Sequence, residues 1–542
     1  MEGAIDRGKV PDFLQPDNVV IRNILEKNAA EAPQAPFVNF EDGTSWTRLE
    51  GLRQAYASAN ELYRAGVRPG DAVAAAVPNG AAYFRTWWGA AVLGAAIVPV
   101  NPGNKGVLVT RMLGIARPKV IVTNDMFRER LDEVGVPATT TLFAPTDIIG
   151  SDFTAPRLDS PLMAWDVASL AMTSGTTGPS KVVRISHAHS GNGSWMLYVR
   201  WGIGADDVLL CDVPMVHAAG LYGVHAALMG GAQIAIRSRP DLGHYWEVAR
   251  DTGATLAQLY STMVSYVDAQ PPRGTEHSHR LRVVCALPFP ADPSAFRKKF
   301  NIPRLTIGWG STEIGCGVGL TPEAKIEPGA TGRLFPGWQI RLVDENDMDV
   351  PPGTPGEAIV RHQVPWLITT EYIDDPEATA RAWRNGWFHT GDLLRVDEDG
   401  DFFFVDRARD ALRRRGENIY SFEVENVLVA FPAIAEAAVV GERSATAVED
   451  EVKAWLVLAN GQETVDFEAL LRHCADNLPH YMVPRFFEIA RQLPKTPSAK
   501  VRKNVLREQG SGAATWDRLQ HGLDVTRRGV EHIDHQLTSQ TR

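Results

Sequence analysis

The segment Thr173-Ser-Gly-Thr-Thr-Gly-Pro-Ser-Lys181 decides the fold, and it directly follows an apolar run at residues 169–172. Its nine positions hold five hydroxyl side chains, two glycines, one proline and one lysine. Glycines let the backbone approach an anion and turn its N–H groups toward it, while hydroxyls and an ammonium group can complete a polyphosphate site. The segment is not a Walker A loop, because Ser180 stands where that pattern needs a glycine before the lysine. It therefore predicts either a different kind of phosphate-binding loop or an ordinary Ser/Thr/Gly turn between strands.

The chain around this segment alternates short apolar strands with helical patterns. Strands are predicted at residues 73–78, 95–100 and 119–123, and a helix is predicted at residues 81–93. This alternation is typical of βαβ units, in which helices cover a parallel sheet. We therefore expect an α/β fold with helix-covered sheets in the N-terminal part of the chain.

The pattern changes twice in the second half of the chain. Short strands separated by turn signals fill residues 326–408, which predicts a small β-barrel-like subdomain. Residues 409–510 combine two helices with two strands, which predicts a small α+β C-terminal domain. This domain follows one large N-terminal domain at residues 1–408. Residues 511–542 are polar and compatible with a helix, and we expect them to form a tail without an assigned function.

The composition excludes several classes of protein. Hydrophobic residues make up 44% of the 542 positions and charged residues 22%, so the chain can bury a sizeable core and is neither disordered nor collagen-like. Its net charge of −10 disfavours general nucleic-acid binding, which depends on neutralising phosphates. The four cysteines are widely separated, which suits neither a zinc site nor a disulfide framework. With no signal peptide and no apolar run of membrane-spanning length, we expect a cytoplasmic protein.

Five further segments carry groups suited to a nucleotide and a carboxylate. They are VPMVHAAGL at 213–221, GWGSTE at 308–313, WFHTGD at 387–392, DRARDALRRRGENIYSFEVE at 406–425 and LPKTPSAK at 493–500. Taken with the loop at 173–181, they resemble in order and spacing the motifs of the adenylate-forming superfamily. That superfamily includes acyl- and aryl-CoA synthetases, peptide-synthetase adenylation domains and luciferases. The resemblance covers roughly residues 20–507.

The resemblance implies a two-step reaction on a two-domain fold. A carboxylate attacks the α-phosphorus of ATP, which releases pyrophosphate and leaves an acyl adenylate. The small C-terminal domain then rotates, and the thiol of CoA displaces AMP. We therefore expect an AMP-forming acyl-CoA ligase that uses ATP, Mg²⁺ and coenzyme A, with a carboxylic acid as its other substrate and a homodimer left open.

The resemblance also assigns the ATP site. The implied ATP-binding residues are Thr173, Ser174, Gly175, Thr176, Thr177, Gly178, Lys181, Trp309, Gly310, Thr312, Asp392, Arg407 and Lys500. Within this set the loop and its lysine hold the β- and γ-phosphates, and Thr312 contacts the α-phosphate. Trp309 stacks on adenine, where the family usually has tyrosine. Glu313 is the expected Mg²⁺ ligand, since a hard cation prefers carboxylate and phosphate oxygens.

The ribose and the reacting groups complete these assignments. Asp392 and Arg407 are expected to contact the ribose hydroxyls. Lys500 is expected to bridge the attacking carboxylate and the α-phosphate, which makes it a catalytic residue beside Thr312, Glu313 and His217.

The remaining assignments concern the acid and CoA. His217 is expected beside the acyl pocket, where it can gate entry of the carboxylate or thiol. The other implied acyl-pocket residues are Gly220, Ile307 and Gly308. The implied CoA-binding residues are Arg415 and Gly416, which line the pantetheine tunnel, and Arg409 occupies the hinge.

Three positions depart from the family pattern. Val182 follows the loop lysine and Ala499 precedes Lys500, and both replace the usual glycine. Residues 285–290 lack the usual glycine-rich adenine segment, so we assign no adenine contacts there. None of these departures removes a charged catalytic group, and activity is expected.

The sequence favours some of the superfamily's substrates over others. Residues 216–218 offer no carboxylate for an α-amine, which disfavours an amino acid. The amino-acid sequence at residues 415–418 and 481–486 most resembles that of carnitine/crotonobetaine–CoA ligases. A trimethylammonium group favours an aromatic cage, for which Trp201, Tyr222 and Tyr260 are candidates and equally plausible core residues. Two other functions remain open, namely an acyl-AMP ligase that loads a carrier protein and an inactive nucleotide or acyl-CoA sensor.

A basic cluster stands out in the acidic chain. Its members are Arg407, Arg409, Arg413, Arg414 and Arg415. Such a run is often a solvated face, but this one adjoins the expected ribose contact and pantetheine tunnel. We expect it to attract ATP or the phosphorylated end of CoA.

Overall fold

The computed structural model describes most of the chain. The described residues are 14–101, 106–172, 181–260, 262–271, 273–287, 289–290, 292–320, 329–407, 410, 412–414, 417–419, 421–443, 450–459, 461–496, 500–526 and 528–532. None of the helices in these ranges is both long and apolar enough to cross a membrane.

The N-terminal half follows the predicted alternation of helices and strands. In chain order its elements are α1 (Pro16–Val19), α2 (Ile21–Glu31), β1 (Pro36–Phe40), β2 (Ser45–Thr47), α3 (Arg48–Arg64), β3 (Ala72–Ala76), α4 (Ala81–Leu93), β4 (Ala96–Pro99), α5 (Val107–Ala116), β5 (Val120–Thr123), α6 (Asp125–Val134), β6 (Thr141–Phe143), β7 (Val167–Met172), β8 (Val182–Ser186), α7 (His187–Trp201), β9 (Val208–Cys211), α8 (Ala218–Gly230), β10 (Gln233–Ile236), α9 (Tyr245–Asp251), β11 (Leu256–Tyr260), α10 (Thr262–Ala269), β12 (Val283–Leu287), α11 (Pro293–Lys299) and β13 (Arg304–Thr306).

These strands form two sheets that are parallel except at one edge of each. The first sheet has the order β13-β12-β11-β9-β10-β1-β2, and the second has the order β6-β5-β3-β4-β7-β8. The edge strands β2 and β8 run antiparallel to their neighbours. Every residue of β3 is buried, as expected for the centre of a sheet covered on both faces by helices. The predicted α/β fold is confirmed.

Local sequence sets the ends of the helices. Gly94 ends α4 with a φ of 79°, and a Cβ there would lie 2.7 Å from Cδ2 of Leu162, so both conformation and space favour glycine. Ser186 caps α7 by accepting a hydrogen bond from the backbone N–H of His189. The buried face of α4 then packs Phe84 and Trp88 into the main N-terminal core.

A seven-stranded antiparallel sheet follows the two parallel sheets. Its region contains β14 (Gly308–Ser311), β15 (Gly315–Gly319), β16 (Ala330–Leu334), β17 (Trp338–Val343), β18 (Gly356–His362), α12 (Pro376–Ala382), β19 (Phe388–Val396) and β20 (Phe402–Arg407). The strand order is β14-β15-β16-β20-β19-β18-β17. The predicted β-rich region thus carries the WFHTGD segment on β19 and the start of the arginine-rich segment on β20.

The C-terminal part has its own core. Its elements are β21 (Leu412–Arg414), β22 (Glu417–Ile419), α13 (Ser421–Val429), β23 (Ile434–Arg443), β24 (Asp450–Leu458), α14 (Phe467–Asn477), β25 (Phe486–Ile489), α15 (Lys503–Gln509), β26 (Trp516–Asp517), β27 (Leu523–Thr526) and β28 (Gly529–His532). Strands β23, β24, β25 and β26 form one sheet, and Leu428, Leu456 and Leu471 lie in its buried core.

The segment after residue 511 differs from the helix-compatible polar tail that its composition predicts. Strand β26 pairs with β25, and β27 and β28 form a hairpin. Leu523 and Val525 are buried in the C-terminal core, and Trp516 packs against it. The short apolar alternation at residues 523–525 explains the difference, because it gives a small strand one face to bury although the surrounding residues are polar.

Candidate active site

The loop at residues 173–181 is closed by a strand pair. Met172 at the end of β7 lies opposite Val182 at the start of β8. Residues 173–180 lie outside the described residues, but Lys181 is described and half-buried. Its Nζ lies 4.4 Å from the centroid of the Tyr372 ring, which is a cation–π contact. Val182 is fully buried, so the side chain that replaces the family's glycine packs into the core of the second sheet.

Asp392 lies between an indole and a guanidinium group. Its Oδ2 accepts a hydrogen bond of 2.9 Å from Nε1 of Trp309, and its Oδ1 lies 2.8 Å from Nε of Arg407. The ion pair follows from the sheet register, because Asp392 and Arg407 are opposite each other on β19 and β20. The structure therefore brings together three of the residues that the resemblance assigns to adenosine.

Burial and charge compete at this carboxylate. Asp392 is only 2% exposed, and burial raises its pKa above the usual range. The charges of Arg407 and Lys500 and the hydrogen bond from Trp309 lower the pKa, while Glu313 raises it. Residues from β14, β20 and the C-terminal segment 493–500 therefore share one electrostatic environment with Asp392.

Glu313 lies in the turn between β14 and β15. Its Oε1 accepts a hydrogen bond of 3.0 Å from Oη of Tyr372, and its backbone oxygen accepts one of 2.8 Å from the N–H of Thr369. Thr312 is half-buried in the same turn. Among the described residues, no cluster of three or more His, Cys, Asp or Glu could hold a metal ion. A metal at Glu313 would accordingly take most of its ligands from phosphate and water oxygens, which suits Mg²⁺.

Glycines let β14 and β15 approach closely beside this turn. A Cβ on Gly310 would lie 1.8 Å from the backbone oxygen of Gly315, which no side chain can accommodate. A Cβ on Gly308 would lie 2.9 Å from Sγ of Cys316. Gly310 is therefore needed for the strand pair itself, whatever its role toward ATP.

Lys500 reaches the same region from the C-terminal part of the chain. It closes a short turn in which the backbone N–H of Thr496 donates to the Lys500 oxygen at 2.7 Å. The Lys500 charge lowers the pKa of Asp392 and also that of His217. Burial is the larger cause at His217, and together they lower its pKa to about 4. The imidazole is therefore neutral at neutral pH.

His217 stands at the N-terminus of α8, where the expected acyl pocket begins. The backbone of Gly220 passes so close to the preceding turn that a Cβ there would lie 3.0 Å from the Pro214 oxygen. One turn along α8, Tyr222 lies against α7, since a Cβ on Gly193 would come within 2.8 Å of the Tyr222 ring. The Glu313 charge contributes to the raised pKa of Tyr222, so this ring lies near the Glu313 turn.

Opposite α8, the expected acyl pocket is bordered by Ile307, which follows β13, and by Tyr260 at the end of β11. Ile307 is buried, and its backbone oxygen accepts a hydrogen bond from Leu320. The pKa of Tyr260 is raised well above its ordinary value by burial and by neighbouring Cys285 and Cys316. Tyr222 and Tyr260 thus share Cys316 as a neighbour. Trp201, the third candidate for an aromatic cage, is instead 1% exposed within the main N-terminal core.

Several expected residues cannot be placed. The expected loop residues Thr173, Ser174, Gly175, Thr176, Thr177 and Gly178, the hinge residue Arg409, the CoA-binding residues Arg415 and Gly416, and the departure Ala499 lie outside the described residues. Their roles stay predictions.

Tyr372 is the contact that sequence reasoning missed. It joins Lys181 and Glu313, although it lies 59 positions beyond the glutamate. It belongs to none of the six quoted motifs, and no spacing rule connects it to them. The nearest signal is the Asp-Asp-Pro-Glu run at residues 374–377, which predicts a helix start just after the tyrosine.

Two family models match this chain, one in its N-terminal part and one in its C-terminal part. The AMP-binding enzyme family matches residues 25–372, and the AMP-binding enzyme C-terminal domain matches residues 423–500. A crotonobetaine/carnitine–CoA ligase from Escherichia coli is 30% identical over 483 residues, which cover 85% of this chain and 93% of the relative.

Solved structures show the same fold. ATP-bound MatB from Rhodopseudomonas palustris superposes with a TM-score of 0.80 at 24% identity, covering 90% of this chain and 98% of that one. The anthranilate CoA ligase AuaEII in complex with anthranoyl-AMP superposes with a TM-score of 0.82 at 22% identity, covering 93% and 98%. The two family matches together span most of the chain, and Asp392 and Arg407 lie in the stretch between them. The chain therefore belongs to the AMP-binding enzyme family of adenylate-forming ligases.

Proposed function

We propose that this protein is an AMP-forming acyl-CoA ligase. The observation that carries the proposal is the position of Lys500, whose charge acts on Asp392 and on His217 at once. A single cation near both the expected ribose contact and the expected acyl pocket is suited to bridge a carboxylate and the α-phosphate. Neutralising charge that builds up in the transition state is the main task in phosphoryl and nucleotidyl transfer.

The adenosine part of ATP is assigned to the Asp392 group. Asp392 can accept hydrogen bonds from two vicinal hydroxyls, and its ion pair with Arg407 opposes the rise in pKa that burial causes. Trp309 fixes the carboxylate through its Nε1 and offers an indole face for adenine. We assign both ribose hydroxyls to Asp392 and Arg407.

The triphosphate is assigned to Lys181, Thr312 and the loop at 173–178. Glu313 would hold Mg²⁺, which neutralises phosphate charge and orients the pyrophosphate leaving group. The carboxylate of the acid attacks the α-phosphorus as an anion, so the first step needs no general base. Lys500 holds that anion against the α-phosphate while pyrophosphate departs.

The second half-reaction is assigned to the same acyl pocket after the C-terminal domain has moved. CoA is the proposed acceptor, with Arg415 and Gly416 along its pantetheine arm and Arg409 at the hinge. The thiolate sulfur attacks the acyl carbonyl carbon, the bond to AMP breaks, and acyl-CoA is released. A neutral His217 adds no charge to the entrance, so it would admit either the carboxylate or the thiol.

The acid is proposed to lie beside Tyr222 and Tyr260, which share Cys316 as a neighbour. Relatives at about 30% identity act on crotonobetaine and carnitine by name, which makes a quaternary-ammonium acid the first candidate. Two tyrosine rings with Cys316 as a common neighbour support this choice, because an aromatic face attracts such a cation. Because Trp201 lies in the main N-terminal core, Tyr222 and Tyr260 are the remaining aromatic candidates for binding the cation.

The test is a panel of carboxylic acids assayed for AMP release with and without CoA. Quaternary-ammonium, short-chain, branched and aromatic acids should be compared, together with pyrophosphate exchange into ATP. Lys500→Ala should lower the exchange rate by about 100-fold or more, because a transition-state cation is lost. Lys298→Ala, at an exposed lysine of α11, is the matched control and should leave the rate unchanged.

Two outcomes would contradict the proposal. ATP binding without exchange for any acid would favour a nucleotide sensor. Thioester formation on a pantetheinylated carrier protein, but not on CoA, would favour a carrier-loading enzyme.

A further inference from the structure

A short segment between β18 and α12 ties the two phosphate-facing groups of the site together. The backbone N–H of Thr369 donates to the Glu313 oxygen at 2.8 Å, and that of Ile373 donates to the Val182 oxygen at 2.9 Å. Tyr372 pairs with Val183 as an isolated antiparallel bridge. The segment is therefore anchored at one end to the Glu313 turn and at the other to the strand that begins after Lys181.

Tyr372 makes the side-chain connection within this segment. Its Oη donates a hydrogen bond of 3.0 Å to Glu313, and its ring lies under the ammonium group of Lys181 at 4.4 Å. The ring is 7% exposed and packs with Val183, Ile185 and Ala378. These contacts hold the ring in place, so the two charged groups share one rigid neighbour.

The chemistry of each contact suits a supporting role. Burial and the Glu313 charge raise the pKa of Tyr372, so the phenol stays protonated and donates to the carboxylate. This hydrogen bond fixes the direction of one Glu313 carboxylate oxygen. Because the phenol is uncharged, it does not compete with a metal cation for the carboxylate's charge. The aromatic face attracts the Lys181 ammonium without neutralising its charge.

We infer that Tyr372 is a positioning residue that sets the separation of Lys181 and Glu313, so that the lysine and the metal-binding carboxylate meet the same Mg²⁺-bound triphosphate. The inference rests on the proposed function, since it presumes that Glu313 faces a metal held on ATP. The phenolic hydroxyl acts on the metal side of the site, and the aromatic ring acts on the lysine side. These two parts can be separated by substitution.

The experiment measures ATP dissociation constants for the complete chain by calorimetry, once with excess Mg²⁺ and once with EDTA. Tyr372→Phe keeps the ring and removes the hydroxyl. It should weaken Mg²⁺-ATP binding by about tenfold, as expected for a lost hydrogen bond to a charged group, and change metal-free ATP binding by less than about twofold. Tyr372→Leu removes both contacts and should weaken binding under both conditions.

Tyr266→Phe is the matched control, because Tyr266 is an exposed tyrosine on α10. It should change neither dissociation constant. A merely structural role of Tyr372 would lower the thermal unfolding midpoint without a metal-specific change in ATP affinity.

The inference is overturned if Tyr372→Phe shows the same ratio of Mg²⁺-bound to metal-free ATP affinity as the wild type. That single comparison decides the matter even where Tyr372→Leu fails to fold. Absence of ATP binding by the wild-type chain would instead overturn the proposed function, so the two failures are distinguishable.

Discussion

Asp392 shows how one residue combines structural and functional demands. A carboxylate that is 2% exposed would ordinarily take up a proton, yet Arg407 and Trp309 favour its ionised form. The ion pair arises from strand register, and the indole reaches it from another strand. The residues that we propose for ribose recognition are therefore built into the antiparallel sheet.

Asp392→Asn should weaken ATP binding by at least about tenfold. Asparagine keeps a similar shape and can still accept from Trp309, but it leaves the Arg407 guanidinium without its counter-charge. The measurement is the ATP dissociation constant, with Asp399→Asn at an exposed turn as the control. Equal ATP affinity in Asp392→Asn and Asp399→Asn would remove Asp392 from the ATP site.

Residue types and spacing predicted much of the site, and three-dimensional contacts supplied the rest. The motifs identified Asp392, Arg407 and Lys500, and the structure brings all three into one electrostatic environment. Tyr372 could not be predicted, because its contacts depend on how the segment before α12 crosses the site. For Trp201 the sequence left an aromatic cage and the core equally open, because an aromatic residue at a helix end gives the same pattern in both, and the structure places it in the core.

At the scale of elements, helices α7 and α8 bury an unusual number of histidines. His187, His189 and His225 are all fully or almost fully buried, and burial lowers their pKa values to about 4, 3 and 3. They are neutral in the native protein, while an unfolded chain protonates histidine near its ordinary pKa of 6.5. The unfolded state therefore binds more protons as pH falls below about 6.5, and native stability declines in that range.

His189→Leu should make stability less sensitive to acid. The variant removes one such group, so its loss of unfolding free energy between about pH 7 and about pH 5 should be smaller by about 2 kcal/mol. Asp212 acts in the opposite direction, because burial raises its pKa to about 7, but it is unchanged in the comparison.

Calorimetric unfolding midpoints at the two pH values check this prediction about His189. His244→Leu, at an exposed histidine, is the control and should keep the wild-type pH dependence. An acid-induced decrease in midpoint that is as large in His189→Leu as in wild type would show that this histidine does not carry the effect.

Strands β26, β27 and β28 show which elements a sequence pattern does not predict. Helix 81–93 and the strands at residues 73–78, 95–100 and 119–123 were predictable, because periodic or apolar runs leave few alternatives. Strands β26 to β28 have only two to four residues each, so the alternation at residues 523–525 is too short to predict a strand by itself. Their structure depends on a partner, namely the C-terminal core that β25 and α14 provide.

Asp517→Asn should destabilise the C-terminal domain. Asp517 is almost buried and accepts two hydrogen bonds from Arg485, at 3.1 and 3.0 Å, which join β26 to the end of the sheet. The substitution removes the charge that faces a partly buried guanidinium and leaves it the longer contact with Glu451 at 3.8 Å, which should cost about 3 kcal/mol.

Limited proteolysis of the C-terminal domain checks the Asp517 prediction, and cleavage should be faster than in the wild type. Asp476→Asn, at an exposed position of α14, is the control. Resistance equal to that of wild type would mean that β26 contributes little to the domain.

At the scale of the whole molecule, a net charge of −10 coexists with a site for polyanions. The charges of Arg407 and Lys500 act on Asp392, and Lys181 lies against Tyr372, which donates a hydrogen bond to Glu313. The arginine cluster of residues 407–415 extends this charge along the chain. Local cations can attract an anionic ligand although the protein as a whole repels it, because salt screens the distant charges more than the near ones.

The apparent KM for CoA should therefore rise with salt. Raising KCl from about 0.1 M to about 1 M shortens the Debye length from about 10 Å to about 3 Å, and the KM for CoA should increase at least about threefold. The KM for the acid should change less, because CoA carries several phosphate charges and the acid has one carboxylate. The double substitution Arg413→Ser with Arg414→Ser should raise the KM at low salt and flatten its salt dependence.

Arg491→Ser, at an exposed arginine outside the cluster, separates local attraction from a general effect of net charge. It changes the overall charge by one without altering the cluster and should keep the wild-type salt dependence. A KM for CoA that is insensitive to salt would indicate that the arginine cluster is a solvated surface without a role in attracting CoA. A salt effect equally reduced in Arg491→Ser would assign the attraction to total charge. Only a reduction confined to the cluster variant is expected if the basic segment guides CoA to a site in an otherwise acidic protein.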